Sequence, residues 1–302
     1  MLNSLANNSM KQYDTALKSW WYFCEQQKIS PYEAPVPNIL TFLNEKFNNG
    51  AINSTRSALS LIIGQQVGND ERIKRFIKGV FRSKPPRPKY NFTWDPGLVL
   101  NHVALWYPHV DISLEKLTKK LVTILALTTG HRVQTLSLIK LNNIKVVHQG
   151  IQIHIPDIIK TTKRGALQPM LHLKTYNNKI EICPVHIIRS YINITQSIRK
   201  DIQNLIITYK KPHKNASCQT ISRWTKTTIE EAGIDMTSFT AHSTRHASTS
   251  AAKRSGLNIE DIRKTAGWSQ NSETFARFYN RPVINDPSSF STVVCQTIEN
   301  YI

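Results

Sequence analysis

The segment AHSTRHASTSAA at residues 241–252, followed by AGWS at 266–269 and FYNRP at 278–282, constrains the fold more than any other part of the chain. A helix over residues 241–255 places His242 and Arg245, three residues apart, on one face. An imidazole and a guanidinium on one face can converge on a single small anion, and phosphate is the obvious candidate. Tyr279 follows closely and supplies a phenol.

The charge balance predicts a polyanionic partner. Lys and Arg number 39 against 20 for Asp and Glu, which gives a formal net charge of +19. Each cation set against a phosphate releases condensed counterions and so adds affinity. We therefore expect a nucleic acid as the partner, although a basic soluble protein or one that visits anionic membranes would show the same balance.

The bulk composition indicates a globular protein without a cofactor. The 302 residues, 40% of them hydrophobic, suffice for two domains or one large one. The cysteines are isolated in sequence, so we expect reduced packing thiols and neither a metal nor a redox centre; they are Cys24, Cys183, Cys218 and Cys295. The chain starts without a signal pattern and its best apolar run, 121–127, is too short for a membrane. We expect an intracellular protein with no membrane partner, nuclear if the host is eukaryotic.

A helical domain is predicted over residues 1–82. Apolar residues recur at helical spacing over 13–24, 39–47, 54–67 and 70–82, with Ser54 and Asp70 as helix starts. The outer face of the last helix is basic and is read either as a solvated face or, preferably, as a DNA-backbone contact. Its members are Arg72, Lys74, Arg75 and Lys78.

A proline-rich segment, RSKPPRPK at 82–89, ends the helical pattern. Prolines so closely spaced favour an extended, semi-rigid chain, so residues 83–91 are predicted to be a linker between domains. Its cations Lys84, Arg87 and Lys89 could follow a phosphate backbone, and an import signal is the other explanation for the basic stretch.

The remaining chain, residues 92–302, is predicted to be mostly helical with one small sheet. Strands are expected at 144–147, 151–155 and 168–173, where β-branched residues alternate between turn signals. Helices are expected at 114–128, 184–198, 219–232, 241–255, 259–266 and 272–279. The fold class is therefore mainly α with a small antiparallel β-sheet, that is, α+β.

Five motifs in order resemble the tyrosine recombinases and integrases, a phage-integrase-like family. They are TGHRVQTL at 129–136, a hairpin lysine at Lys160, His242-x-x-Arg245, Gly267-Trp268 and Tyr279. The motifs are most similar to those of DIRS-type retroelement and Crypton-like recombinases. The resemblance covers residues 92–302, and for residues 1–82 it rests on the helical layout alone. It implies a DNA-clamping core-binding domain, a catalytic domain and an exchange tail at about 283–302.

The resemblance implies that Tyr279 attacks a DNA phosphate and forms a 3′-phosphotyrosyl link. A phenol of ordinary pKa near 10 is ionised in only about one molecule in a thousand at pH 7, so nearby cations must help. Arg132 and Arg245 would hold the non-bridging oxygens, and His242 would take the phenolic proton or bond the phosphate. No cofactor or metal is implied. Each residue also has a structural interpretation, in which Arg132 is a surface cation and His242 and Tyr279 belong to the core.

Two further roles are implied and remain open. Trp268 would donate its indole N–H to the phosphate, although a residue after Gly267 could serve as plain core. Lys160 would protonate the departing 5′ oxygen, in competition with Lys163 and Lys174.

The family resemblance also implies an assembly: a dimer on one DNA site and a tetramer in synapsis, joined by exchange of the C-terminal tail. The alternatives are a tail folded back on its own domain, a type IB topoisomerase-like relaxation activity, and a domesticated, catalytically silent DNA-binding module.

Overall fold

The structure is a computed structural model that describes residues 5, 7–46, 51–85, 90–162, 165, 167–269 and 272–283. The chain divides into two compact units, Met1–Arg87 and Pro88–Ile302. In the described part, no helix is long and apolar enough to cross a membrane.

The first unit is helical. Its core is aromatic: Trp20 is fully buried, lies 5.0 Å from the Phe42 ring centroid and donates its indole N–H to the Pro31 carbonyl at 3.0 Å. Asp70 caps the last helix as predicted, because its carboxylate accepts from the backbone N–H groups of Arg72 and Ile73. The helices are α1 (Asn7–Gln27), α2 (Val36–Glu45), α3 (Ile52–Ile62), α4 (Gln66–Asn69) and α5 (Glu71–Ser83).

Three predictions for this unit are corrected. The third helix does not run from Ser54 to Val67: it ends at Ile62, and Gly64, with φ of +108°, turns the chain before the short α4. Ser54 does not cap a helix, since α3 begins earlier and the Ser54 hydroxyl donates to the Ala51 carbonyl at 2.8 Å. The helical spacing over 70–82 also predicts that Phe81 faces inward, but it is exposed.

The second unit confirms the predicted fold class: it is mostly helical with a three-stranded antiparallel sheet. The strands β1 (Ile144–Val147), β2 (Gly150–His154) and β3 (Met170–Lys174) pair in sequence order, with Ile151 opposite Leu173. The helices are α6 (Pro96–Ala104), α7 (Leu114–Thr129), α8 (Val133–Ser137), α9 (Pro184–Thr195), α10 (Cys218–Glu231), α11 (Ser243–Arg254) and α12 (Ile259–Thr265).

The helix α7 organises this unit. It is buried along most of its length and packs against α9, α10 and α11. Gly130 ends it in the left-handed conformation, and the chain then passes directly into α8. Because α11 packs against α7, the residues that follow Gly130 lie close to Arg245 on α11.

Two predictions for the second unit are corrected. Residues 272–279 do not form a full α-helix: the regular part is a π-helical turn at Phe275–Tyr279, whose i→i−5 bond joins the Asn280 amide to the Phe275 carbonyl. The pattern also favours Lys160 over Lys163 and Lys174 because it is predicted to follow a strand directly, but β2 ends at His154 and the chain then turns through Ile159–Thr162.

A buried basic cluster lies between α6, α7 and α9. Lys120 is fully buried and donates to the Trp106 carbonyl at 2.6 Å. Burial lowers its pKa to about 8. His109, also buried, bonds Ser190 at 3.1 Å and stacks on His186. Burial, followed by the repulsion of Lys120 and His186, lowers the pKa of His109 to about 4.

This arrangement predicts a loss of stability in mild acid. The folded pKa of His109 lies below the unfolded value near 6.5, so the unfolded chain takes up the proton first as the pH falls. The free energy of unfolding should fall by about 2 kcal/mol between pH 7 and pH 5 through this group alone. Urea unfolding of the His109→Gln variant should show a smaller drop by that amount. The exposed His172→Gln should keep the wild-type drop, and equal slopes in all three proteins would contradict the assignment.

Candidate active site

Arg245 lies at the centre of the site on α11. Only 1% of its surface is exposed, and its Nη1 donates to the Gly130 carbonyl at 2.6 Å. Its Nε and Nη2 are buried and have no acceptor at hydrogen-bond distance and geometry within the described structure, although the Tyr279 hydroxyl is close enough to raise the pKa of Arg245. The guanidinium carbon lies 3.9 Å from the centroid of the Trp268 ring. The side chain is thus fixed by one carbonyl and one aromatic face, and no carboxylate neutralises it among these contacts.

The surroundings of Arg245 disfavour its positive charge. Burial, followed by repulsion from Arg132, lowers its pKa to about 10, while Tyr279 acts in the opposite direction. The group therefore remains protonated at neutral pH. Because an unneutralised buried cation is costly, an anion that reaches the site would be bound strongly.

Arg132 and His131 enter from the end of α7. Arg132 occupies the N-cap position of α8 and is half-buried, close enough to Arg245 to depress its pKa. His131 is buried, and burial, followed by the charge of Arg245, lowers its pKa to about 4. His131 is therefore neutral at pH 7 and adds no third positive charge between the two arginines.

Tyr279 comes from the π-helical turn of the same chain. Its hydroxyl lies 2.8 Å from His242 Nε2, and its ring centroid lies 5.5 Å from the Arg245 guanidinium carbon. His242 is at the N-terminus of α11 and is exposed. The phenol, the imidazole and the guanidinium are thus brought together within one protomer.

Trp268 packs and also presents a donor. Its ring lies 4.9 Å from the Tyr279 ring and 5.8 Å from the Phe275 ring. Its indole Nε1 is buried without a hydrogen-bond partner in the described residues. The placement accommodates both interpretations of this residue, core packing and a free donor.

Lys160 is not brought into this group. It is exposed in the turn after β2, and no hydrogen bond or ion pair joins it to the residues above in the described structure. Lys163 lies outside the described residues, and Lys174 is exposed at the end of β3. Lys160 lies in the long connection between β2 and β3. The spacing of residues in the sequence does not determine the path of such a loop, and therefore does not determine where this side chain lies.

The basic surface proposed on α5 is exposed throughout, but two of its members have acidic partners. Arg72 bonds Asp70 at 2.7 Å, and the pKa of that carboxyl falls to about 2 chiefly because of this contact. Lys74 pairs with Glu71 at 2.9 Å. Arg75 and Lys78 are exposed, as is Lys84, whereas Arg87 and Lys89 lie outside the described residues.

The sequence reasoning missed the supporting role of His131 and Gly267. Gly267 has φ of +68°, and a Cβ there would lie 2.9 Å from His131 Cε1. The glycine therefore lets the chain pass against the buried imidazole and present Trp268 to Arg245. A glycine directly before a motif tryptophan was the signal available in the sequence.

We predict that Gly267→Ala disturbs the site. The left-handed backbone and the close approach to His131 should together cost about 1–3 kcal/mol of unfolding free energy, and Trp268 should shift off the guanidinium. Thermal unfolding measures the loss of stability, and the difference in tryptophan fluorescence between the variant and the wild type reports the shift of Trp268. Gly256→Ala, also left-handed but with open space around its Cβ, is the matched control. An equal loss in both variants would show that the contact with His131 does not matter.

Solved structures share the fold at low identity. The XerH site-specific recombinase bound to difH has 13% identity and a TM-score of 0.58, over 94% of this chain and 78% of that one. The Tn1549 transposon integrase with transposon right end DNA has 12% identity and a TM-score of 0.58, over 99% and 95%. A lambda integrase dimer on a COC' core site has 14% identity and a TM-score of 0.54, over 93% and 74%.

The search of curated proteins gives no match. The family model described as "Phage integrase family" matches residues 104–283, more than half of the chain, and this range contains every residue of the candidate site. The chain therefore belongs to the phage integrase family, the tyrosine recombinases.

Proposed function

We propose that this chain is an active tyrosine recombinase of a mobile element, which cleaves and rejoins duplex DNA through a 3′-phosphotyrosyl intermediate. One observation carries the proposal: three buried donor nitrogens, Nε and Nη2 of Arg245 and Nε1 of Trp268, lack acceptors in the described structure, beside a phenol hydrogen-bonded to an imidazole. Donors of that kind suit an anion with several oxygens, such as a phosphodiester. The motif resemblance to DIRS-type and Crypton-like recombinases is the support for a mobile element.

Binding and activation of the phosphate fall to the two arginines. Arg245 offers Nε and Nη2 to the non-bridging oxygens, while its Nη1 stays on the Gly130 carbonyl. Arg132 supplies a second guanidinium nearby. Both charges act on oxygens that gain negative charge as phosphorus becomes five-coordinate, so they stabilise the transition state more than the bound substrate.

The cleavage step exchanges one ester bond for another. The Tyr279 oxygen forms a bond to phosphorus, and the bond from phosphorus to the 5′ oxygen breaks. The phenolic proton passes to His242 Nε2, which lies 2.8 Å away and accepts it in the tautomer protonated at Nδ1. A second proton must reach the 5′ oxygen, and Lys160 or Lys163 supplies it if the turn after β2 closes on DNA. Because ester energy is conserved, rejoining needs no nucleotide cofactor.

We extend the proposal to the assembly. Among the solved structures that share this fold, one lambda integrase is a dimer bound to a COC' core site, and another is a tetramer bound to a Holliday junction. We propose that this chain likewise acts as a dimer on one DNA site and a tetramer in synapsis, with its tail, from about residue 283, docked on a neighbouring protomer. The segment from 284 lies outside the described residues. If the host is eukaryotic, we propose that the protein acts in the nucleus, because its proposed substrate is DNA.

We predict that Tyr279→Phe abolishes the covalent adduct without weakening DNA binding. A nicked suicide substrate, which loses a short strand after cleavage, should trap wild-type protein as a denaturation-resistant complex. Tyr176→Phe, an exposed tyrosine outside the site, should still form it. An adduct that persists in the Tyr279 variant would assign the nucleophile elsewhere. A wild-type protein that binds DNA but forms no adduct would support the silent DNA-binding alternative.

We predict that a lysine of the turn after β2 is the general acid. Lys160→Ala or Lys163→Ala should slow cleavage by about 10²-fold or more, since proton donation contributes roughly 10²–10⁴. The same variant should cleave normally a substrate with sulfur at the 5′ bridging position, because a thiolate leaves without a proton. Lys174→Ala is the control. Cleavage that is slowed equally on oxygen and sulfur substrates would exclude a proton-donor role for the residue replaced.

A further inference from the structure

One face of α11 contacts Tyr279 and the two residues after it, from the phenolic hydroxyl to the backbone. His242, His246, Ser250 and Arg254 recur every fourth residue, so they form one stripe along the helix. Each contacts the segment Tyr279–Arg281: the first the phenolic oxygen, the second the ring, the third the backbone after the ring, and the fourth the Arg281 carbonyl. Only the first of these belongs to the family motif discussed above.

His246 holds the plane of the phenol. Its ring is buried and stacks on the Tyr279 ring, with centroids 4.0 Å apart and planes inclined by 17°. The Tyr90 ring makes a T-shaped contact with His246, with centroids 5.0 Å apart and planes at 90°, so a second aromatic ring also holds the imidazole. A flat ring confined in this way limits rotation of Tyr279 about its own side-chain bonds.

Ser250 holds the backbone on both sides of Asn280. Its hydroxyl is fully buried, donates to the Tyr279 carbonyl at 2.6 Å and accepts from the Arg281 amide at 3.1 Å. These two bonds matter because the π-helical turn spans only five residues, Phe275–Tyr279, and its last i→i−5 bond is the one from Asn280 to Phe275. Helix α11 therefore supplies support that the short turn does not provide for itself.

The next residues extend the attachment within the same protomer. The Arg281 guanidinium donates through Nε to the Tyr90 carbonyl at 2.9 Å and through Nη2 to the Arg277 carbonyl. The Pro282 carbonyl accepts from the Thr93 amide at 2.8 Å. The nucleophile is thus fastened from both sides to its own catalytic unit, which favours attack by a protomer on the DNA that it binds itself.

We propose that His246 and Ser250 are positioning residues that hold Tyr279 in line with the phosphate held by the arginines of the same protomer. The inference rests on the proposed function and specifies how its nucleophile is aligned. Displacement of a reacting group by about 1 Å can cost about 10²-fold in rate. Loss of either contact therefore slows attack by Tyr279 and leaves the phosphate pocket intact.

The first experiment compares Ser250→Ala with Ser248→Ala. The Ser248 hydroxyl bonds to the Arg245 carbonyl of its own helix, so that variant makes the same chemical change without touching the tyrosine segment. Ser250→Ala should slow single-turnover adduct formation by roughly tenfold or more, with unchanged affinity for DNA. Ser248→Ala should react at the wild-type rate. Equal adduct rates for wild type and Ser250→Ala would overturn the role of Ser250.

The second experiment separates positioning from general damage to the pocket. In a Tyr279→Phe background, hydrogen peroxide supplied in solution replaces the phenol as nucleophile, and strand cleavage then reports the phosphate pocket alone. Adding Ser250→Ala to Tyr279→Phe should leave this peroxide-dependent cleavage unchanged. A loss as large as that of the tyrosine reaction would show that Ser250 supports the whole site and would overturn the proposal.

The third experiment tests the stacked ring. His246→Ala should slow adduct formation, whereas His246→Phe, which keeps a flat ring, should restore most of it. If both variants are equally slow, ring stacking is not what aligns the phenol, and the role of His246 is overturned. Failure of the proposed function itself would appear earlier and differently, as a wild-type protein that forms no adduct at Tyr279.

Discussion

The hydrogen bond from Arg245 Nη1 to the Gly130 carbonyl is the contact on which the catalytic unit depends. It joins α11 to the end of α7 across 115 residues of sequence, and it is buried. The guanidinium is buried with one carbonyl and one aromatic face as partners, and these contacts do not fully offset the free energy of removing its charge from water. The fold keeps this cation in place through packing, and the cost is recovered when an anion supplies the missing acceptors.

The neighbouring residues follow from that constraint. His131 must stay neutral, because a third charge beside Arg132 and Arg245 would add repulsion that the packing would have to overcome. Gly267 must lack a side chain so that the chain can pass His131 and lay Trp268 on the guanidinium. The indole in turn forms one wall for the Tyr279 ring. The residues that complete the site are therefore those that make a buried positive charge tolerable.

The sequence predicted the parts of the structure that local chemistry determines. The three strands, the cap at Asp70 and the helix at α7 have strong local signals, and His242, Arg245, Trp268 and Tyr279 converge as their order suggested. The breaks were harder. Gly64 ends α3 by backbone conformation rather than by hydrophobic pattern, and a five-residue π-helical turn has the same apolar spacing as an α-helix. Lys160 lies in a turn whose path depends on loop geometry, which residue spacing does not fix.

Under the proposed function, affinity for DNA and the chemistry at phosphorus would be carried by different cations. Arg75 and Lys78 are exposed, as are Arg72 and Lys74 beside their acidic partners, so salt would screen any attraction of these side chains to phosphates. Arg245 is shielded from solvent, and salt weakens its interaction far less. Rising salt should therefore reduce occupancy of the DNA more than the reactivity of the bound complex. The two purposes need different surroundings, because an exposed cation can attract a duplex from a distance, whereas a buried one can act only on a phosphate that enters the site.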